Sequence, residues 1–263
     1  MDKKTISRDG TPIAYERHGD GPTVVLVGGA MCTGATLAPL AEALSDRFGA
    51  VTYDRRGRGD SGDTAPFAVA REIEDIAALI ETFGGSAALY GISSGGALAL
   101  EAAMSGLPVR EVVVYETPFA VDEVAGKQRA EYTERLTELL GQDRHGDAVE
   151  LFLTLVGTPP EMISGVRMSH AWPGMEAIAP TLAYDDAAMG RGESRVPRER
   201  LAALSLPLLS VAGDASPAWM REAARSIAEA APNGSYRTLE GQTHMVDPRV
   251  LAPVLAEFFR TGV

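Results

Sequence analysis

The chain has 263 residues, 45% of them hydrophobic and 23% charged, with a formal net charge of −12 at pH 7. That length suits one large domain, or one domain carrying an insertion; so acidic a chain disfavours nucleic acid and anionic membranes as partners, and a single cysteine excludes an internal disulfide. The opening residues MDKKTISRDG carry no apolar stretch of signal-peptide type, and no apolar run reaches the roughly 18 residues of a membrane span, so a cytoplasmic location is expected.

KKTISRDGTPIAYERHG places Ile6, Ile13 and Tyr15 about a turn at Gly10, which predicts an antiparallel hairpin. PTVVLVGGA (22–30) is a continuous apolar run ending in glycines, the pattern of a strand buried on both faces, and GAVTYDRRGRG repeats it. The spacing of Leu37, Leu40, Ala41 and Leu44, and again of Ile73, Ile76, Ala77 and Ile80, predicts helices. A strand over 86–91, a helix over 94–105 and a buried strand over 110–116 continue the alternation. The fold class is therefore α/β, a mostly parallel sheet with helices on both faces.

From about 120 to 200 the rhythm breaks. YTERLTELLG, DAVELFLTLVG, PEMISGVRM and AWPGMEAIAPTLAYDD contain no β-branched run, and the segment is expected to be a helical insertion between two sheet strands. The strand pattern resumes at 206–213, followed by a helix over 217–230, a strand over 235–241 and a final helix over 248–260. The expected division is a core of 1–119 and 201–263 with an inserted unit of 120–200.

One short stretch, LYGISSGGALAL (89–100), asks for a sharp turn between strand and helix. Gly91 and Gly95 flank Ser93 two residues either side, giving G-x-S-x-G. In a strand–turn–helix elbow the central residue is strained and Cβ atoms at those two positions would collide, so both must be glycine. Ser94 lacks that environment, and Ser93 is the candidate nucleophile. Of the four histidines, His18 sits in the hairpin, while His145 and His170 belong to the insertion. His244 alone lies in a loop after a sheet strand, where open α/β sheets gather their catalytic groups. GRGDSG (57–62) matches a dinucleotide fingerprint only in letters, because Asp63–Pro66 separate it from the next helix and it follows the second buried strand. No metal-ligand spacing or nucleotide loop occurs, so neither metal nor cofactor is expected.

Ser93 in G-x-S-x-G, His244 in GQTH before the last helix, the loop YDRRGRGDSG and the glycines after the first buried strand together resemble the α/β-hydrolase fold superfamily along essentially the whole chain. The resemblance implies a helical cap at 120–200 and a serine hydrolase acting on an ester, lactone or thioester of a small, mostly apolar molecule. Non-hydrolytic chemistry on the same fold (a lyase, cyclase or C–C bond-cleaving enzyme) and a ligand-binding receptor with little turnover remain the alternatives. It also implies an oxyanion hole from the backbone N–H groups of Ala30 and Ser94. Gly28-Gly29 stands where the family often has His-Gly, so the side chain that braces that loop is missing. Met31, Cys32, Trp172 and Trp219 are expected to line the substrate site, and Phe152, Leu155, Met162, Met175 and Leu182 are further candidates from the cap.

The acid that orients the histidine usually follows the strand after the cap, in a G-x-x-D turn. Here that turn reads GDASP, with Ser216 where the acid is expected and Asp214 two residues early. Some relatives place the acid at the end of the strand before the cap, which here is VVVYETPFA and ends in Glu116. A carboxylate ending so apolar a strand needs a partner if buried. Glu116 is the expected third member, with Asp214 in reserve.

Overall fold

The computed structural model describes residues 3–261. β1 (Lys3–Ile6) and β2 (Pro12–His18) form the antiparallel hairpin, Ile6 facing Pro12. β3 (Thr23–Val27) leads to α1 (Gly34–Leu44), β4 (Gly49–Tyr53) to α2 (Val69–Thr82), and β5 (Ala87–Ile92) to α3 (Ser94–Met104). After β6 (Val109–Tyr115) come α4 (Glu123–Gly141), α5 (His145–Leu155), α6 (Pro160–Arg167), α7 (Trp172–Ile178), α8 (Leu182–Ala188) and α9 (Arg198–Leu201). β7 (Leu208–Gly213), α10 (Ala218–Ala230), β8 (Gly234–Leu239) and α11 (Pro248–Thr261) follow.

The strands make one sheet in the order β1-β2-β4-β3-β5-β6-β7-β8, with β2 antiparallel to β4 and every pair from β4 through β8 parallel. Residues alternate faces along each strand. Val25, Leu89, Val112 and Leu208 meet the apolar sides of α2, α3 and α10, whereas Val24, Leu26, Tyr90, Val113 and Val211 meet those of α1 and α11. Both faces are covered, which is why the strands read as unbroken apolar runs rather than alternating ones.

The strand expected over 22–30 ends at Val27. Residues 28–30 leave the sheet because the carbonyls of Gly28 and Gly29 accept hydrogen bonds from arginine side chains. β3 is also where the strand order reverses, with β4 on one side and β5 on the other. Val27 pairs with Gly91, so the loop after β3 and the elbow after β5 emerge side by side at the carboxyl edge, the place where such sheets bind ligands.

The helices from α4 to α9 lie between β6 and β7, and their two ends are clasped where Ala120 N–H donates to Ser194 O at 2.7 Å and Ala120 pairs with Arg195. Tyr132, Leu136 and Leu139 of α4 pack with Ala148 of α5 and Leu182 of α8 in a separate apolar cluster, against which Ala30 and Met31 rest. The insertion thus has its own small core and stands on the loop after β3. Among the described residues no helix is long and apolar enough to cross a membrane.

A Cβ on Gly95 would drive into the carbonyl groups of Val27 and Gly28, coming within 2.7 Å of the Gly28 carbonyl carbon. Gly95→Ala is therefore expected to push the elbow off β3 and to lower unfolding free energy by about 1–3 kcal/mol or more, as read by denaturant titration.

Candidate active site

The elbow places Ser93 at φ 57°, ψ −131°, a backbone region that L-residues other than glycine enter only under constraint. The constraint is visible on both sides. Ser93 N–H donates to the Tyr115 carbonyl at 2.9 Å, and Gly91 carries no Cβ because one would meet the Gly95 carbonyl and the Gly96 Cα, the latter at 2.7 Å. Met31 (φ 60°) and Glu116 (φ 46°) are also in positive φ. Such positions cost about 1–3 kcal/mol each and gather at functional sites; here all three lie in the loops at the carboxyl edge.

Glu116 is fully buried. Its Oε1 accepts the Gly213 N–H at 2.8 Å, and its Oε2 lies 2.9 Å from His244 Nδ1. A carboxylate only accepts, so Nδ1 carries the proton of that bond, and in the neutral ring the lone pair then lies on Nε2. The loop bearing His244 is pinned in turn: Tyr115 Oη donates to Thr243 O at 2.6 Å, and Ala215 N–H donates to Gln242 O at 3.1 Å. Asp214 takes no part in this arrangement. Its side chain is exposed and accepts the Gly241 N–H at 2.7 Å, while the Ser216 hydroxyl is buried beside it. The structure therefore brings Glu116, and not the reserve Asp214, to His244.

Ser93 and His244 stand where two cavities meet. One, of about 270 Å³, runs between α1 and α11 over Leu37, Leu40, Tyr90 and Leu251 and includes Cys32. The other, of about 350 Å³, lies under the insertion and includes Ser94, Arg129, Tyr132, Leu155 and Trp219. Ala30 and Phe152 line both. Neither the Ala30 nor the Ser94 backbone N–H donates to a protein acceptor among the described residues, so both donors are available at the edge where Ser93 sits. Burial pushes the Cys32 thiol up, which makes it an apolar lining group rather than a nucleophile.

Two expected lining residues are elsewhere. Trp172 is buried with Val149 and Ala179 in the interior of the insertion, with the Arg167 guanidinium over its ring at 5.6 Å. Met31 packs against that cluster rather than into either cavity. In both cases apolar residues of the insertion offer a dry neighbour closer than the cavity. Met162 is exposed, Met175 packs near Trp172 and Leu182 belongs to the insertion's core.

The sequence reading missed a buried ionic cluster. Arg55 and Arg58, in the loop after β4, are 2% and 1% exposed. Arg55 grips Glu72 of α2 through two bonds of 2.7 and 2.8 Å and reaches Asp185 of α8 at 2.5 Å. Arg58 donates to Asp185 at 2.6 Å, to Thr181 at 3.0 Å and to the Gly29 carbonyl at 2.7 Å; Arg55 reaches the Gly28 carbonyl at 3.3 Å. Asp185 also accepts the Ser94 hydroxyl at 2.8 Å. Burial pulls the pKa of Arg55 down, but Glu72 and Asp185 more than offset it and hold it well above its ordinary range. Burial also lowers that of Arg58, where repulsion from Arg55 works against the attraction of Asp185 and the net shift is downward. These arginines supply the brace that the missing histidine side chain leaves open. The available signal was three arginines within YDRRGRG, directly after a buried strand in an acidic chain.

A family model described as the alpha/beta hydrolase family matches residues 24–254. The crystal structure of an alpha/beta hydrolase from Sphaerobacter thermophilus is 52% identical, with a TM-score of 0.89 over 98% of this chain and 100% of that one. A thermophilic esterase from Thermogutta terrifontis, solved with malate bound, is 24% identical with a TM-score of 0.73 over 99% and 98% of the two chains. An enol-lactonase from Burkholderia xenovorans is 20% identical with a TM-score of 0.70 over 98% and 100%. The last two likenesses bear on the fold alone.

Asp185→Asn leaves the two buried guanidinium groups of Arg55 and Arg58 with one carboxylate, Glu72, between them. It is expected to cost about 3–5 kcal/mol in unfolding free energy, as breaking one side of a buried ionic group does. A loss below about 1 kcal/mol in equilibrium denaturation, the range of exposed ion pairs, would contradict a dry, shared carboxylate.

Proposed function

The chain belongs to the alpha/beta hydrolase family, and we propose that it is a serine hydrolase that cleaves an ester, lactone or thioester of a small, mostly apolar molecule. The observation that carries the reading is the 2.9 Å bond between a fully buried Glu116 carboxylate and His244 Nδ1, with His244 and Ser93 lining the same cavities. A serine hydroxyl is a weak nucleophile until a base takes its proton.

In the proposed mechanism Ser93 Oγ attacks the carbonyl carbon as His244 Nε2 accepts the hydroxyl proton. Glu116 holds the ring in the Nδ1–H tautomer and stabilises the imidazolium that forms, without itself taking the proton. The tetrahedral oxygen accepts from the Ala30 and Ser94 N–H groups, each such donor being worth about 3 kcal/mol in the transition state. Collapse expels the alcohol or thiol with the proton from His244 and leaves an acyl group on Ser93. Water, deprotonated by His244, then attacks the acyl carbon and releases the acid. Acyl and leaving groups are assigned to the two cavities that meet at Ser93. The residues 120–200 act as a cap: Phe152 and Leu155 shape the space, and Trp172 holds the cap together rather than touching substrate. These steps draw on protein groups and water alone.

Hydrolysis of p-nitrophenyl butyrate tests the assignment of the acid. Glu116→Gln is expected to lose about 10⁴-fold in kcat, as loss of a triad carboxylate does. Asp214→Asn, which keeps an oxygen for the Gly241 N–H, is expected to stay near the unaltered enzyme. The opposite order would transfer the role to Asp214, and near-normal rates in both would leave a Ser93–His244 dyad. No turnover of any short ester or lactone by the unaltered protein would point to a binding protein.

A further inference from the structure

Among the described residues Arg129 of α4 has no ion-pair partner. Its side chain is half-buried and lines the cavity that holds Ser93 and His244. It also borders an adjoining cavity that shares Pro118, Leu155 and Trp219 with the first, so it stands at the junction of the two. Among the described residues its guanidinium makes one hydrogen bond, from Nη2 to the Pro118 carbonyl at 3.2 Å. Among the described residues no carboxylate oxygen comes within the 4.0 Å of an ion pair. The arginines of the loop after β4 behave differently, since Arg55, Arg56 and Arg58 each hold a carboxylate at 2.5–2.9 Å.

The neighbouring acids are otherwise engaged. Asp185 is committed to Arg55, Arg58 and the Ser94 hydroxyl. Asp186 accepts from Thr133 Oγ1 at 2.9 Å, and Asp122 caps the first turn of α4 through the Ala125 N–H. Burial lowers the pKa of Arg129, and the fields of Tyr132 and Asp186 only partly offset it. A guanidinium taken from water without a carboxylate is costly, and folded proteins normally pair it. Its planar fork of five donors matches a carboxylate in two parallel bonds, and one donor is in use.

We propose that Arg129 binds a carboxylate of the substrate, so that the natural ester, lactone or thioester carries an acid group a short apolar chain away from the scissile carbonyl. Phe152, Leu155, Val156 and Trp219, which line the same cavity as Arg129 and Ser93, supply the apolar surface for that chain. The inference rests on the reading of this cavity as the substrate site of a hydrolase, and its test has an arm that needs no turnover.

In the first arm, binding of glutarate is measured by calorimetry to the unaltered protein and to Arg129→Met and Arg129→Lys. Millimolar binding is expected, about tenfold or more weaker in Arg129→Met, the scale of one lost charge-assisted contact. Arg129→Lys, which keeps the charge but loses the fork, should fall between. The second arm compares p-nitrophenyl glutarate with p-nitrophenyl hexanoate, and 4-carboxyphenyl butyrate with phenyl butyrate, to place the acid on the acyl or the leaving side. In at least one pair the ratio of kcat/KM for the anionic over the neutral ester should drop about tenfold in Arg129→Met, a shift that a merely structural role for Arg129 would not produce. Failure of the unaltered protein to bind glutarate overturns the proposal, whether or not either variant folds. Equal binding in all three proteins, or unchanged ratios in both ester pairs, does so as well. Glutarate binding that depends on Arg129, in a protein that turns over none of the four esters, would uphold the anion site and count against the hydrolase reading alone.

Discussion

One carboxylate joins the parts of the molecule that must not move relative to one another. Asp185 comes from α8 of the insertion, yet its oxygens are shared by Arg55 and Arg58 from the loop after β4 and by the hydroxyl of Ser94 at the elbow. The same arginines hold the Gly28 and Gly29 carbonyls. Each carbonyl so held fixes the peptide plane it belongs to, and the Gly29 carbonyl shares its peptide with the Ala30 N–H. The direction of the Ala30 donor is thereby set by Arg58 rather than by a side chain of its own loop. A cluster this dry is stable only while its charges balance and its donors are used, and Arg55, Arg58, Glu72 and Asp185 contribute two of each sign.

The other half of the site depends on backbone strain. β6 ends at Tyr115, and Glu116 follows in positive φ, which turns its carboxylate back across the end of β7 to the Gly213 N–H and on to His244. Tyr115 contributes its carbonyl to Ser93 N–H and its hydroxyl to the His244 loop. The end of β6 thus orients the elbow, His244 and Glu116 together. Strain at Ser93 and Glu116 is tolerable because each is held by hydrogen bonds to neighbouring strands and loops rather than by its own preference.

Much of this was legible in the sequence because it is local. The elbow is a steric condition on residues two apart, and Gly91 and Gly95 announce it. The parallel sheet follows from apolar runs alternating with helical spacing, and His244 stands out by its place after the last such run. Glu116 is visible as a charge closing VVVYE. The ionic cluster was not legible, since its decisive contacts join residues 127 and 130 positions apart, and YDRRGRG in isolation reads only as a basic loop. Trp172 misled for a related reason: helical periodicity marks an apolar face without saying whether that face meets a cavity or the rest of the insertion. Arg129 carries no sequence signal either, because an arginine on an amphipathic helix reads as part of its solvated face until the carboxylates around it are seen to be occupied.

The central claim is that Ser93, and not its neighbour, is an activated nucleophile. Treatment with a fluorophosphonate, followed by peptide mass spectrometry, tests it most directly. The account predicts one adduct per chain on Ser93, none in Ser93→Ala, and much slower labelling in His244→Ala. An adduct on Ser94 or on a residue outside the two cavities, or a folded protein that takes up no reagent, would contradict it.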